Sequence, residues 1–118
     1  MIKIKRAFDV PADEDGTRFL VDRIWPRGVK KEDLVLGAWL KEVAPSAQLR
    51  KAFGHDPKKW DEFKRLYAAE LEHSKEHWQR ILHAQQEGSV TLVYGVKDTV
   101  HNNAAALKEF LEKQQGKK

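Results

Sequence analysis

The stretch Val90-Thr91-Leu92-Val93-Tyr94 constrains the fold more than any other. It is nearly continuous in β-branched and apolar residues, without the polar alternation of a half-exposed strand. Such a run predicts a central strand covered on both faces. A strand of that kind needs a sheet around it and further layers above and below. Helical periodicity lies on both sides of it in the chain. The long stretch from Asp56-Pro57 to Glu87 places Trp60, Phe63, Tyr67, Leu71, Trp78, Ile81 and Leu82 on one apolar stripe. After the strand, Asn102 or Asn103 caps a last helix that buries Leu107, Phe110 and Leu111.

The remaining elements follow in order. Ile2-Lys3-Ile4-Lys5-Arg6-Ala7-Phe8 alternates as a half-buried strand, with Ile2, Ile4 and Phe8 facing inward. Residues 9–17 carry Pro11, Gly16 and the acidic cluster Asp13-Glu14-Asp15, which reads as a solvated loop tip. Arg18 to Trp25 reads as a second strand, ended by Pro26 and turned at Gly28. Lys31 to Leu34 reads as a helical turn, and Leu36 to Val43 as an edge strand or packed coil. Pro45 or Ser46 opens a short helix to about Phe53, with Gly54 past its end. Asp56 as N-cap and Pro57 at the first helical position start the long helix, which Gly88 stops. At about 1.5 Å per residue that helix would span roughly 45 Å, long for a domain of this size, which leaves open a break near His73–His77. The tail 114–118 is polar and expected to fray.

Taken together, the elements predict a small single-domain α/β fold over residues 1–118. The sheet is mixed, with three to four strands and the last strand central. Helices flank it, including the one long amphipathic helix. The first two strands are close enough for a hairpin, and the helical crossover from the second to the last strand favours a parallel pair.

Composition excludes several chemistries. With 118 residues, 41% hydrophobic and 34% charged, the chain is globular rather than disordered. It has no cysteine, which rules out disulfides, thiolate metal sites and a Cys nucleophile. No apolar run reaches the roughly 20 residues of a membrane helix. The N-terminus reads as a strand and not as a signal peptide, so a cytoplasmic location and no membrane partner are expected. The net charge of +4 resides in the first half, where 13 Lys/Arg face 9 Asp/Glu. That imbalance suggests an anionic partner.

Ligands of open α/β sheets bind beyond the carboxyl ends of parallel strands. There the second strand delivers Asp22, Arg23, Trp25 and Arg27, and the last strand Lys97, Asp98 and the helix start at Asn102. Arginine forks match phosphate or carboxylate oxygens, and a helix N-terminus adds free N–H groups. The reading is therefore a pocket for a small anion (phosphate, nucleotide or carboxylate) bound by Arg23, Trp25, Arg27, Arg50, Lys97 and Asn102. The other use of these charges is structural ion pairing of Arg23 and Arg27. Asp22, His55 and Asp98 are the candidates for proton transfer if chemistry occurs. No cofactor motif is evident, whether a phosphate loop or a dinucleotide turn. His73-Ser74-Lys75-Glu76-His77 has the letters of an inverted zinc-protease motif but falls on the solvated side of its helix, so no metal site is assigned. The alternative is a non-catalytic module binding nucleic acid or protein through the basic first half, although no nucleic-acid-binding signature is present.

The ordered set Leu20 to Gly28, Trp39 to Ser46, Leu49-Arg50, Phe53, His55-Asp56-Pro57, Trp60, Phe63, Tyr67, Glu70-Leu71, Val90 to Tyr94 and Lys97-Asp98 resembles the YeaO-like family, domain of unknown function 488. The resemblance runs from about residue 2 to 112. It implies a compact cytoplasmic α/β domain and brings no activity, cofactor or catalytic residue with it.

Overall fold

A computed structural model describes residues 2–116. Among them, four strands form one sheet: β1 (Ile2–Arg6), β2 (Thr17–Leu20), β3 (Ala38–Trp39) and β4 (Val90–Tyr94). Five helices complete the chain: α1 (Lys31–Leu34), α2 (Ala47–Phe53), α3 (Trp60–Leu71), α4 (Lys75–Glu87) and α5 (Asn103–Gln115). The strand order is β1-β4-β2-β3. β4 lies inside the sheet and is buried along its whole length, as its uniform apolar character requires.

The α/β class stands, but the sheet is all parallel rather than mixed. β1 and β2 do not form a hairpin. Both pair with β4 instead, Ile4 and Phe19 flanking Leu92 from either side. The predicted long helix is divided: α3 ends at Leu71 and α4 begins at Lys75, which puts the break where its length suggested. The Trp78 indole donates to the Leu71 carbonyl at 2.7 Å, which satisfies an acceptor left at the end of α3. α5 continues to Gln115, within the tail expected to fray, while residues 117–118 lie outside the described range.

The two faces of the sheet are covered differently. Ile2, Phe19, Val90, Leu92 and Tyr94 face the helices and join Phe63, Tyr67, Ile81, Leu107 and Leu111 in the main core. The opposite face carries a smaller apolar cluster of Ala7, Leu20, Leu34 and Val93, closed by Trp25, Val29, Leu36 and Trp39. Beside it, the same face presents Lys5, Thr91 and Arg18 to the loop joining β1 to β2. Asp15 in that loop meets all three strands. Its carboxylate accepts from Arg18 at 2.6 Å and Lys5 at 3.2 Å, and its carbonyl accepts from the Thr91 hydroxyl at 2.8 Å. Asp15 is therefore no solvated loop tip: it is 4% exposed, and Arg18 is 3% exposed. Phe8, expected to face inward, is 52% exposed, and Ala7 takes the buried position.

Candidate cation-rimmed cleft

β2 ends at Leu20, five residues before the expected Trp25. One more ladder bond, from the Val21 N–H to the Val93 carbonyl at 3.1 Å, carries the chain to the end of β4. From there the two strands release their connections toward opposite faces. The chain after β2 feeds Trp25, Val29 and Leu34 into the smaller cluster, whereas the chain after β4 enters α5 over the main core. A crevice opens where adjacent connections diverge in this way.

A cleft of about 580 Å³ fills that crevice. Asp22, Arg23 and Ile24 form one wall, and Val96, His101, Asn102 and Asn103 another. Arg50, Lys51, Phe53 and His55 close it from α2 and the following turn. Local chemistry fixes each wall. Ser46 caps α2 by accepting from the Leu49 N–H at 3.1 Å, and Glu70 on α3 holds Ser46 through its N–H (2.9 Å) and hydroxyl (2.6 Å). Gly54 and His55 both adopt positive φ, near 55° and 58°, and swing the chain back to α3. Asn102 caps α5 by accepting from the Ala105 N–H at 2.8 Å. Asn103 donates to the Val21 carbonyl at 2.8 Å, and the Trp39 indole donates to the Asp22 carbonyl at 2.7 Å. These bonds hold the 21–23 segment against both α5 and β3.

Asp22 sits at the inner wall. Its Oδ2 accepts from the Gly95 N–H at 2.8 Å. A Cβ at position 95 would stand 3.2 Å from that oxygen, so glycine permits the close approach. Burial pushes the Asp22 carboxyl above its ordinary value, against the opposing pull of the Gly95 N–H, the Asn103 amide and the Arg50 charge. Tyr67 lies beneath, its hydroxyl donating to the Val43 carbonyl. Burial, with the negative charges of Asp22 and Glu70, raises its ionisation far out of the working range. It therefore acts as a fixed donor and not as an acid or base.

The six proposed ligand-binding residues separate into three groups. Arg23, Arg50 and Asn102 line the cleft. Arg27 and Lys97 line a shallower neighbouring hollow of about 530 Å³ with Arg6, Phe8 and Pro26; Asp22 and Val96 form the ridge between the two. Trp25 lines neither. Its indole donates to the Val29 carbonyl at 2.7 Å and its ring stands edge-on to Trp39, 5.4 Å between centroids. Both polar side-chain atoms of Asn102 are engaged within the fold, with Ala105 and with the Asp98 carbonyl. Its part is to present the start of α5.

Among the described residues, Arg23, Arg27, Arg50, Lys51 and Lys97 make no ion pair within 4.0 Å. The charges that could have been spent on structural pairs are thus free. Arg23 reaches only the Ala44 carbonyl, at 3.4 Å.

Of the three proton-transfer candidates, His55 is an exposed residue on the rim. Asp98 lines neither cavity. It accepts from the Val100 and His101 N–H groups, both at 2.9 Å, and from the His101 ring at 2.9 Å. The His101 and Val100 backbone bonds, aided by the His101 ring, lower its carboxyl to about 2. His101 is the residue that sequence reasoning missed. Asp98 holds its Nδ1, its ring stands edge-on to Trp60 at 5.4 Å, and it lines the cleft. The spacing Asp98-x-x-His101 just before a helix cap was the available signal.

Metal chemistry has no centre among the described residues, where no group of three or more His, Cys, Asp or Glu converges. His73 is exposed, and the His77 ring reaches only Glu76, at 3.6 Å. No helix among the described residues is long and apolar enough to cross a membrane.

The fold and cleft define an all-parallel α/β domain with an unpaired cationic rim at its carboxyl edge. The chain belongs to the DUF488 family: the family model described as "Inactive DUF488-N3 subclade" matches residues 1–118. It is 41% identical over 110 residues to "Uncharacterized protein YeaO" of Escherichia coli (strain K12), covering 93% of this chain and 96% of that one. It is 36% identical over 110 residues to "Uncharacterized protein Rv3073c" of Mycobacterium tuberculosis (strain ATCC 25618 / H37Rv), covering 93% and 92%. "Uncharacterized protein Mb3100c" of Mycobacterium bovis (strain ATCC BAA-935 / AF2122/97) matches to the same extent. No solved structure matches significantly.

Proposed function

We propose that this is a cytoplasmic protein that binds a small anionic ligand in the cleft at the carboxyl ends of β2 and β4, without turning it over. The observation that carries the reading is the set of Arg23, Arg50 and Lys51 on one cleft with no carboxylate within 4.0 Å among the described residues. Unpaired guanidinium forks beside a helix start favour phosphate or carboxylate oxygens. Binding without catalysis is supported by the family description, which calls its subclade inactive, and by Ser46, whose hydroxyl is committed to Glu70.

The test is a thermal-shift series with sulfate, phosphate, citrate and nucleotides on the wild type, Arg50→Ala and Arg27→Ala. Ligand at about one hundred times its Kd stabilises by about 2.7 kcal/mol, or about 10 °C for a domain of this size. Arg50→Ala should lose that response and Arg27→Ala should keep it. No shift of the wild type by any anion, or an undiminished shift of Arg50→Ala, would overturn the reading.

One observation favours the second reading, a nucleic-acid-binding module: Arg6, Arg27 and Lys97 continue the positive charge into the adjacent hollow. Its signature would be salt-sensitive retention of a single-stranded oligonucleotide, lost in the Arg27→Ala/Lys97→Ala double variant.

A further inference from the structure

The cleft holds more than an anion needs, and three of its features narrow the ligand. At about 580 Å³ it has the size of sites that enclose small organic molecules, far beyond a lone phosphate. Besides the cationic rim its lining is apolar and aromatic, with Ile24, Pro45, Val96 and the stacked pair Phe53 and Phe63, 4.6 Å apart between centroids. A ligand that fills the cleft therefore carries a ring or other apolar body behind its charged end.

The third feature is Asp22. A carboxylate beside a site for anions repels the ligand unless the ligand brings hydrogen-bond donors to it. Oδ2 of Asp22 accepts from the Gly95 N–H at 2.8 Å. No Lys or Arg lies within 4.0 Å of its carboxylate among the described residues. Asn103 stands beside it, one N–H of its amide donated to the Val21 carbonyl, its amide pulling on the Asp22 charge, and its oxygen unused. Two acceptors at an inner wall call for an N–H-bearing edge. An acceptor left unpaired on binding costs about 1–3 kcal/mol, so the site discriminates by the presence of that donor.

We propose that the ligand is a nucleotide with an amino-bearing base, its exocyclic amine donating to Asp22, its ring against the Phe53–Phe63 side and its phosphate at Arg23 and Arg50. This rests on the anion-cleft reading above and selects one of the ligand classes it allows. The chemistry requires all three parts in one molecule: an anion, a flat apolar ring and a donor on the ring edge. Simple organic acids and sugar phosphates lack the ring, and a uracil nucleotide lacks the exocyclic amine.

Titration calorimetry at pH 7.5 with AMP, GMP, CMP, UMP, ribose 5-phosphate and inorganic phosphate tests this directly. At least one of AMP, GMP and CMP should bind roughly tenfold or more tighter than both UMP and ribose 5-phosphate. Asp22→Asn should shrink the advantage over UMP to about threefold or less, because an amide can also donate to a uracil carbonyl. Equal binding of UMP, or of ribose 5-phosphate, would overturn the nucleotide assignment and leave the anion cleft standing. An advantage that Asp22→Asn leaves intact would overturn the role given to Asp22. Absence of binding by every compound, phosphate included, would remove the anion cleft and the assignment together.

Discussion

Replacing Asp15 with Ala should be among the most damaging substitutions in this chain. Asp15 lies in the loop joining β1 to β2, and that loop, rather than a helix, covers part of one sheet face. Parallel sheets normally have helices on both faces. Here Lys5, Thr91 and Arg18 point into the loop and need polar partners, and Asp15 supplies them from one residue. Alanine would keep the carbonyl bond to Thr91 but strip the Arg18 guanidinium of its only carboxylate. Arg18 is 3% exposed, its Nη2 already has no partner among the described residues, and its remaining bond there would be from Nε to the Leu34 carbonyl at 3.1 Å. Removing one member of a buried ion pair costs about 3–5 kcal/mol. A domain of this size is stable by roughly 5–15 kcal/mol in all, so Tm should fall by about 12–20 °C. Urea unfolding followed by circular dichroism would measure the loss. The double variant Asp15→Leu/Arg18→Met should regain most of it, because an apolar pair removes the uncompensated charge. A loss below about 1 kcal/mol, the range of an exposed pair, or a double variant no better than Asp15→Ala, would refute this account of the face.

Two further outcomes follow from the same loop. Gly16→Ala should destabilise by about 3 kcal/mol or more: its φ is +66°, and an added Cβ would stand 2.1 Å from the Ser89 carbonyl oxygen; thermal melts read this directly. Acid unfolding should depend on Asp15. Burial alone would raise its carboxyl, but the Ala12 N–H, Lys5 and Arg18 outweigh burial and hold it below its ordinary value. A lowered carboxyl contributes fully above about pH 4 and loses that contribution as pH falls through its folded value. Asp98 has the same sign, and Asp22, whose carboxyl is raised, the opposite. Urea midpoints between pH 5 and pH 2 should fall steeply in the wild type and less in Asp15→Ala.

The elements legible in the sequence were those whose signals are local. The Val90–Tyr94 run, the Ser46 and Gly54 caps, the Asp56-Pro57 start and the Asn102 cap each state their conformation within a few residues. The errors came where a distant partner decides. Alternation continues smoothly from Arg18 to Trp25, yet β2 stops at Leu20 because β4 ends at Tyr94 and β3 offers only Ala38 and Trp39 as partners. Past that point Trp25 turns into the smaller apolar cluster, and Arg27 goes with it to the far side of the Asp22 ridge. Nothing near Asp15 in the chain announces Lys5, Arg18 and Thr91 together, so an acidic run looked solvated. The cleft was half legible: the carboxyl-end rule pointed to the end of the sheet where Asp22, Arg23 and Asn102 line one cleft. Arg50 was named from its Arg fork alone, whereas His101 enters the lining through the packing of its ring against Trp60, which no single stretch encodes.

The central claim is that an anion sits among Arg23, Arg50 and the start of α5. Nuclear magnetic resonance mapping of backbone amides during titration with AMP tests it most directly. The account predicts saturable shifts concentrated at Asp22, Arg23, Arg50, Gly95 and Asn102 to Ala104, and their loss in Arg50→Ala. An unmoved spectrum at millimolar AMP, or shifts centred on Arg27 and Lys97 with Arg50 and Asn103 still, would contradict it.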